Sequence, residues 1–365
     1  MSTLTQASKQ WATRPDEERF VSLLDMLAHA EAQRAISKAR VMSSRDLSVR
    51  PIDSQGLVIE SREGGLAMIS HHAFGQLAGL AGAPGGYLRS LPAPLAADCV
   101  NYGLQVEREA EDIGVLLVGG GAHGPRTLRA ATGPKYGRVW NSQVIDALVD
   151  RFGDGVSGDF RVPGIWGRPL DQVTKEDTTL YCGDRDMFVF LADEENRIEL
   201  PDRRDGKTGA LARGFFVSNS EVGAGALKVK TFLFDYVCAN RIVWGALELD
   251  ELNIRHTAAA PDRFVEQVAP ALLAYSQASA DNVSTVLRTA QRSKVDKVAD
   301  FLAKRFGPRI GERIEHAHML DEGRPIETLW DIVTGATAYA RSIAFTADRV
   351  EFEGKAGEIL DLVAA

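Results

Sequence analysis

Apolar residues recur along this chain first with a helical period and then with shorter, strand-like ones. Phe20, Leu23, Leu24 and Leu27 fall at i, i+3, i+4 and i+7, one stripe of a helix that Asp16 is placed to cap and that runs to about Val41. From Leu47 to Ile69 the texture changes to short apolar runs (LSV, GLVIE, GLAMI) broken by Pro, Asp and Gly, which predicts strands joined by turns. Ser70 then caps a short helix, HHAFGQLAGLAG; APGGYLRSLP is a broken turn, and PLAADCVNYGLQVERE is a further helix with proline at its start. Val144, Ile145, Leu148, Val149 and Phe152 share one face of a helix over 141–152, with Asn141 as its cap. Residues 158–245 alternate in strand-like runs (FRV, TTLYC, MFVFLA, GFFVSN, ALKVKTFLF, IVW), and after Pro261 helical stripes continue to the end.

Strands come in clusters rather than in β-α-β alternation, so the expected class is α+β: a mixed or antiparallel sheet with packed helices, followed by a helical C-terminal region. The expected division is an N-terminal helix or arm over 1–45, an α+β core over 46–255 and a helical region over 256–365.

Against this pattern stands VLLVGGGAHG, 115–124, where Gly119, Gly121 and Gly124 satisfy G-x-G-x-x-G after an apolar run. A dinucleotide turn needs a following helix and an acid some 20 residues on, at the end of a second strand. Here Gly133-Pro134 stops any helix after Pro125, and Asp146 falls inside the helix expected over 141–152. A glycine-rich hairpin turn between two strands accounts for the stretch better.

Composition narrows the classes. The 365 residues carry a formal net charge of −8, with 45% hydrophobic and 25% charged positions, ordinary for a chain with a sizeable core. No window approaches a membrane span, the polar start MSTLTQASKQW lacks a signal peptide's apolar segment, and three scattered cysteines give no disulfide framework; the expected location is the cytoplasm. Charge is unevenly spread. From Ile113 to Ile145 there is no acidic residue, Arg288 to Glu315 holds eight Lys/Arg against four Asp/Glu, and Asp184 to Asp205 holds eight acids against four Arg. A local basic groove therefore remains compatible with the acidic total.

Candidate chemistry is sparse. His71-His72 and His316/His318 lack metal-ligand spacing and read as surface histidines. No Walker A loop, G-x-S-x-G elbow or H-E-x-x-H occurs, and Ser218 and Ser220 have no identifiable histidine partner. Asp184 and Asp186 in CGDRDMF read as a solvated turn ahead of a strand rather than a cation site. No catalytic residue, cofactor or metal is expected. PRTLRAATGPKYGRVW, 125–140, interleaves Arg126, Arg129, Lys135 and Arg138 with Tyr136 and Trp140. Cations that track a backbone beside aromatics that stack on bases are the chemistry of single-strand binding. A strand and turn whose basic residues face water or pair with acids elsewhere explains the stretch about equally well. Lys228 and Lys230 alternate with Leu227 and Val229, so both lie on one face of a strand; they extend a basic groove or protect a sheet edge.

Three stretches carry a resemblance: AFGQLAGLAGAPGGYLRSLPAPLAADCVNYGL (73–104), GFFVSNSEVGAGALKVKTFLFDYVCANRIVWG (214–245) and ETLWDIVTGATAYAR (327–341). Pro84, Tyr87, Leu88, Leu91, Pro92 and Asn101, then Asn219, Ser220, Gly223, Cys238 and Asn240, then Leu329, Trp330, Thr337 and Tyr339 match in order and spacing. KYGRVWNSQVIDAL (135–148) fits as a further element. Together they resemble the phage- and plasmid-borne family grouped as domain of unknown function 932. Where that family usually has D-G-S after the Asn-Ser pair, this chain has Glu221, Val222 and Gly223, and an acid there argues against a phosphate-gripping turn. The family is similar in distant outline to single-strand annealing proteins of the Rad52 type used by phages, which is analogy at the level of fold. The resemblance implies no cofactor and a homo-oligomer, a ring being the form annealers of that kind commonly take.

The leading expectation is a non-enzymatic protein that binds or anneals single-stranded DNA. Arg126, Arg129, Lys135, Tyr136 and Arg138 would hold the strand, and Lys228, Lys230 and Arg241 would extend the surface. The alternatives are an oligomeric structural or interaction protein that binds no nucleic acid, and an enzyme using the glycine turn for a nucleotide.

Overall fold

The computed structural model describes residues 15–53, 56–62, 65–107, 109–120, 124–163, 174–176, 178–200, 209–235, 240–242, 252–277, 281–343 and 346–364. Strand β1 (Arg19–Phe20) and helix α1 (Leu23–Ala35) open this part of the chain. Asp16 lies in a separate 3-10 turn, and it is Ser22 that caps α1, its hydroxyl accepting from the Asp25 N–H at 3.1 Å. The helix expected to reach Val41 stops at Ala35, because Ser37–Ser43 is strand β2, paired along its length with β6 (Asp112–Val118). Pairing with a neighbouring strand outweighs the helical pattern here.

Strands β3 (Leu47–Pro51), β4 (Leu57–Ser61) and β5 (Leu66–Ile69) form the expected meander, and β7 (Thr127–Thr132) completes a six-stranded sheet in the order β2-β6-β7-β5-β4-β3. Its pairs are antiparallel except β5 with β7. Because β6 and β7 are antiparallel neighbours, the glycines between them join a hairpin; Gly119, Gly120 and Gly124 take φ values of 78°, 105° and 83°, open to glycine at little cost. Helices α2 (His71–Leu80, capped by Ser70) and α3 (Ala93–Tyr102) cover one face of this sheet. Leu47, Val49, Ile59, Val115 and Leu128 pack there against Phe74, Leu77, Ala97 and Val100. A single helical turn, Gly85–Leu88, lies between α2 and α3.

The second sheet contains nine strands among the described residues. Helix α4 (Asn141–Phe152) precedes β8 (Phe160–Arg161), β9 (Leu180–Cys182), β10 (Met187–Asp193), β11 (Ile198–Leu200), β12 (Gly209–Asn219), β13 (Leu227–Asp235), β14 (Asn240–Ile242) and β15 (Leu252–Ile254). The main path is β1-β9-β10-β12-β13-β14, entirely antiparallel, with β8, β11 and β15 pairing β10, β12 and β13. One face packs Val189, Leu191, Phe215, Val217 and Val229 against α1, α4 and the C-terminal helices. Those are α5 (Ala269–Gln277), α6 (Asp281–Arg292), α7 (Val298–Phe306), α8 (Pro308–Glu322), α9 (Leu329–Ala340) and α10 (Thr346–Gly357). Helix α9 is buried on nearly every side and forms the centre of this bundle. The architecture is α+β, as the clustering of strands indicates. No helix among the described residues is long and apolar enough to cross a membrane.

His318, expected at the surface, is 1% exposed on α8; its Nδ1 faces the Thr334 hydroxyl at 3.3 Å and its Nε2 has no hydrogen-bond partner. Burial holds its pKa below the ordinary 6.5, and burial is likewise the first cause of the lowered values of His29, His71, His72 and His256. The unfolded chain binds these protons near pH 6.5 and the folded chain only at lower pH. Folding stability is therefore complete above about pH 6.5 and falls as the pH drops below it. The urea midpoint is expected to decrease between about pH 7.5 and 5.5, less steeply for His318→Gln, in chemical denaturation monitored by circular dichroism. A midpoint independent of pH would contradict the lowered proton affinity of these rings.

Candidate nucleic-acid interface

The turn that follows β12 joins the two sheets. Asn219, Ser220, Glu221 and Val222 are all buried, and Val222 packs with Leu116 and Ala130 on the six-stranded sheet's other face. Asn219 Nδ2 donates to the Val139 carbonyl at 2.9 Å and to Asn141 Oδ1 at 2.8 Å. The Ser220 hydroxyl donates to the Arg185 carbonyl and accepts from the Ala224 N–H. Val222 O accepts from Gln76 Nε2 at 2.6 Å and faces His72 Nε2 at 3.1 Å. Glu221 is the hub: Oε2 takes Arg129 Nη1 at 2.7 Å, and Oε1 takes the Asn141 N–H, the first of α4, at 2.7 Å. A carboxylate on a helix's first amides is favoured by both hydrogen bonding and the helix dipole. Asn141 was expected as the cap; it is instead the first residue of the helix, and Glu221 supplies the acceptor from 80 residues away.

This seam engages three of the five residues expected to hold a strand. Arg129 is 7% exposed, and besides Glu221 it donates to the carbonyls of Asp184 (2.8 Å) and Gly183 (3.3 Å). The Tyr136 hydroxyl donates to Ser220 O at 2.7 Å, and its ring stacks on His256 at 4.9 Å between centroids; burial pushes the phenol's pKa up. Arg138 Nε donates to Glu221 O at 2.8 Å, while its guanidinium lies over Tyr136 and Trp140 at 5.5 and 5.6 Å. Each of these residues has its cation or ring turned to the protein interior. Gly137 between them admits no side chain, since a Cβ would lie 1.8 Å from the Thr257 carbonyl oxygen. Arg126 and Lys135 are exposed but stand at opposite ends of β7. The basic-aromatic stretch is thus a connector between the sheets, with two outlying exposed cations.

The residues expected only to extend the surface behave differently. Lys228 and Lys230 are half-buried and share one face of β13, about 7 Å apart along the strand. Lys228 stands opposite Ser218 of β12 and Asn253 of β15, and Arg241 of β14 stands opposite position 234, the next same-face position after Phe232. Lys228 has a paired strand on either side, so edge protection does not explain it; Lys230, among the described residues, pairs on one side only, with Phe216, and edge protection still accounts for it. Phe188 lies opposite Ser218 in the same row and is half-buried; Phe190, Phe216 and Phe232 on that face are 4%, 6% and 1% exposed. Exposed Arg255 follows β15 directly. Glu351 of α10, paired with Lys355 at 3.0 Å, also feels the charge of Lys230. Cys238, one of the motif positions, lies outside the described residues.

Sequence reasoning did not find the cavity of about 190 Å³ beside the seam. Its floor is Arg129, Asn141, Cys182 and Glu221, all buried; His29 and Gln33 of α1 form a wall, and Glu17, Glu18 and Asp184 surround the opening. The Cys182 thiol accepts from Asn141 Nδ2 at 3.7 Å. Burial and the nearby Arg129 lower the pKa of His29, so a neutral imidazole and a thiol line one cavity. Among the described residues, no three His, Cys, Asp or Glu are placed to hold a metal ion. These groups are scattered over 17–221 and meet only through the folding of α1 onto β9, which no local motif announces. Arg255 and Phe188 were likewise passed over, since each is an isolated residue in its own stretch.

Comparison with protein-family models, with curated proteins and with solved structures finds no match to this chain. The family resemblance rests on the motifs quoted above.

Proposed function

We propose that this protein binds single-stranded nucleic acid, as a non-enzymatic annealing protein does, on the face of the nine-stranded sheet that carries Lys228 and Lys230, with Arg241 placed on the neighbouring strand β14. The observation that carries the reading is the placement of Lys228 and Lys230 on one face of β13, with strands on both sides of Lys228. Lys228 loses solvation there without guarding an edge, and a polyanion lying along β13 would offset its charge. The phenylalanines on that face pack on one another, so affinity would come chiefly from backbone neutralisation. Arg129, Tyr136 and Arg138 act in this reading as the support that fixes the two sheets together.

Fluorescence anisotropy with a labelled single-stranded DNA oligonucleotide tests it. Wild type is expected to bind and to lose affinity between about 50 and 200 mM salt, by roughly 0.7 log units per phosphate contact per decade. Lys228→Ala/Lys230→Ala is expected to flatten that slope by roughly 1.4, two contacts' worth, with the Lys228 change contributing more because Glu351 already faces Lys230. Arg126→Ala/Lys135→Ala, at the two ends of β7, is expected to leave the slope nearly unchanged. Absence of binding by folded wild type, or a slope that only the second pair alters, would refute the proposal. A labelled RNA of the same sequence, run in parallel, reports the sugar preference.

A further inference from the structure

The cavity beside Cys182 is assembled by strand pairing. Strand β1 pairs with β9, Arg19 opposite Tyr181 and Phe20 opposite Leu180, and this antiparallel register brings Glu17 and Glu18 alongside the turn from Cys182 to Asp184. Gly183 makes room for the approach, since a Cβ there would lie 2.5 Å from Glu18 Oε2. The lining therefore holds four carboxylates, Glu17, Glu18, Asp184 and Glu221, against one guanidinium, Arg129, which Glu221 already neutralises. Burial and the nearby Arg129 keep His29 below its ordinary 6.5, so near pH 7 the ring adds no positive charge. The hydrogen-bonding capacity left over is one-sided at the mouth and walls. The carboxylates of Glu17 and Asp184, the side-chain amide of Gln33 and the ring nitrogens of His29 have no hydrogen-bond partner among the described residues. Carboxylates, an amide oxygen and a neutral imidazole nitrogen all accept from N–H groups. The floor is the opposite. Arg129, 7% exposed there, makes one bond to the protein from each of Nε, Nη1 and Nη2. Each Nη carries a second N–H, and these two have no acceptor among the described residues.

We propose that this cavity binds a small organic cation: an ammonium or guanidinium whose N–H groups meet the acceptors of Glu17, Asp184 and Gln33, and which carries a neutral oxygen for the spare N–H groups of Arg129. A carboxylate in place of that oxygen would face Glu221, whose Oε2 lies 2.7 Å from Arg129 Nη1. A phosphate would meet the acids at the opening as well. At about 190 Å³ the cavity is smaller than the roughly 300–1,000 Å³ of sites for drug-sized ligands, and it suits a molecule of amino-acid size. It is also separate from the strand-binding face. Met187 stands opposite Cys182, whereas its neighbour Phe188 is in the row of Ser218 and Lys228. Successive residues of β10 point to opposite faces, so Cys182 and Lys228 lie on opposite sides of the sheet and the two ligands do not compete.

Isothermal titration calorimetry of the full chain with argininamide, a guanidinium that carries a carboxamide oxygen, tests this at physiological salt. Saturable one-to-one binding is expected. Agmatine has the guanidinium and an ammonium but no oxygen; it is expected to bind about tenfold more weakly, the loss of one hydrogen bond to a charged group. Tetramethylammonium, which has no N–H, is expected not to bind. Glu17→Gln/Asp184→Asn is expected to weaken argininamide by about tenfold or more. Its circular dichroism should be unchanged, since both side chains are exposed and make no hydrogen bond among the described residues. Absence of argininamide binding by folded wild type overturns the proposal. So does binding that agmatine or tetramethylammonium matches, or that the double variant retains in full. None of these titrations contains nucleic acid, so this site and the strand-binding face are tested separately.

Discussion

Replacing Glu221 with alanine is expected to lower the unfolding free energy by about 3–5 kcal/mol, the range for removing one partner of a buried ion pair. Arg129 would be left charged at 7% exposure, and the Asn141 N–H at the start of α4 would lose its acceptor. Urea denaturation followed by circular dichroism gives the number; a loss below about 1 kcal/mol would mean that the seam is not closed as described. Adding Arg129→Met is not expected to restore stability. Arg129 also donates to the carbonyls of Gly183 and Asp184, and Glu221 Oε1 has a partner outside the pair. Two apolar residues would leave all of these groups without partners.

Asp193→Ala is expected to cost a similar 3–5 kcal/mol, for a different local reason. Asp193 is wholly buried at the end of β10, and its Oδ2 takes Arg213 Nη2 of β12 at 2.9 Å. Its Oδ1 takes the Asn196 N–H, also at 2.9 Å, and so organises the turn that leads to β11. Here the double replacement Asp193→Leu/Arg213→Met is expected to recover much of the loss. Both side chains lie on sheet positions, with Tyr275 packed over the Arg213 guanidinium at 5.8 Å, and apolar residues of similar volume often replace a buried pair without penalty. The same urea experiment on the single and double variants gives the coupling energy; equal losses in both would show that the Asn196 turn, not the ion pair, is what Asp193 stabilises.

These two pairs differ in how legible they are. Glu221 was legible in the sequence as an acid directly after the Asn-Ser pair, which argues against a phosphate site. That it neutralises Arg129 could not be read, because 92 residues separate them. The aromatic and basic residues of 125–140 composed a single-strand-binding pattern by type and spacing alone. Type and spacing do not say which way a side chain points once two sheets meet, and Tyr136 and Arg138 point inward. Lys228 and Lys230 were correctly placed on one face, since strand alternation is a local property. That Lys228 has a strand on either side depends on β15, which is non-local.

The sequence by itself determined the class and most of the elements: the meander over 47–69, the Ser70-capped helix, the glycine hairpin, the helix over 141–152 and the helical C-terminal region. Each follows from short-range periodicity, capping or backbone freedom, forces that act within a few residues. Only the tertiary structure decided that 37–43 is an edge strand, that Glu221 caps α4, that His318 is buried and that a polar cavity opens beside Cys182. Those outcomes depend on which distant surfaces exclude water from one another, and that is settled by packing after the local elements have formed.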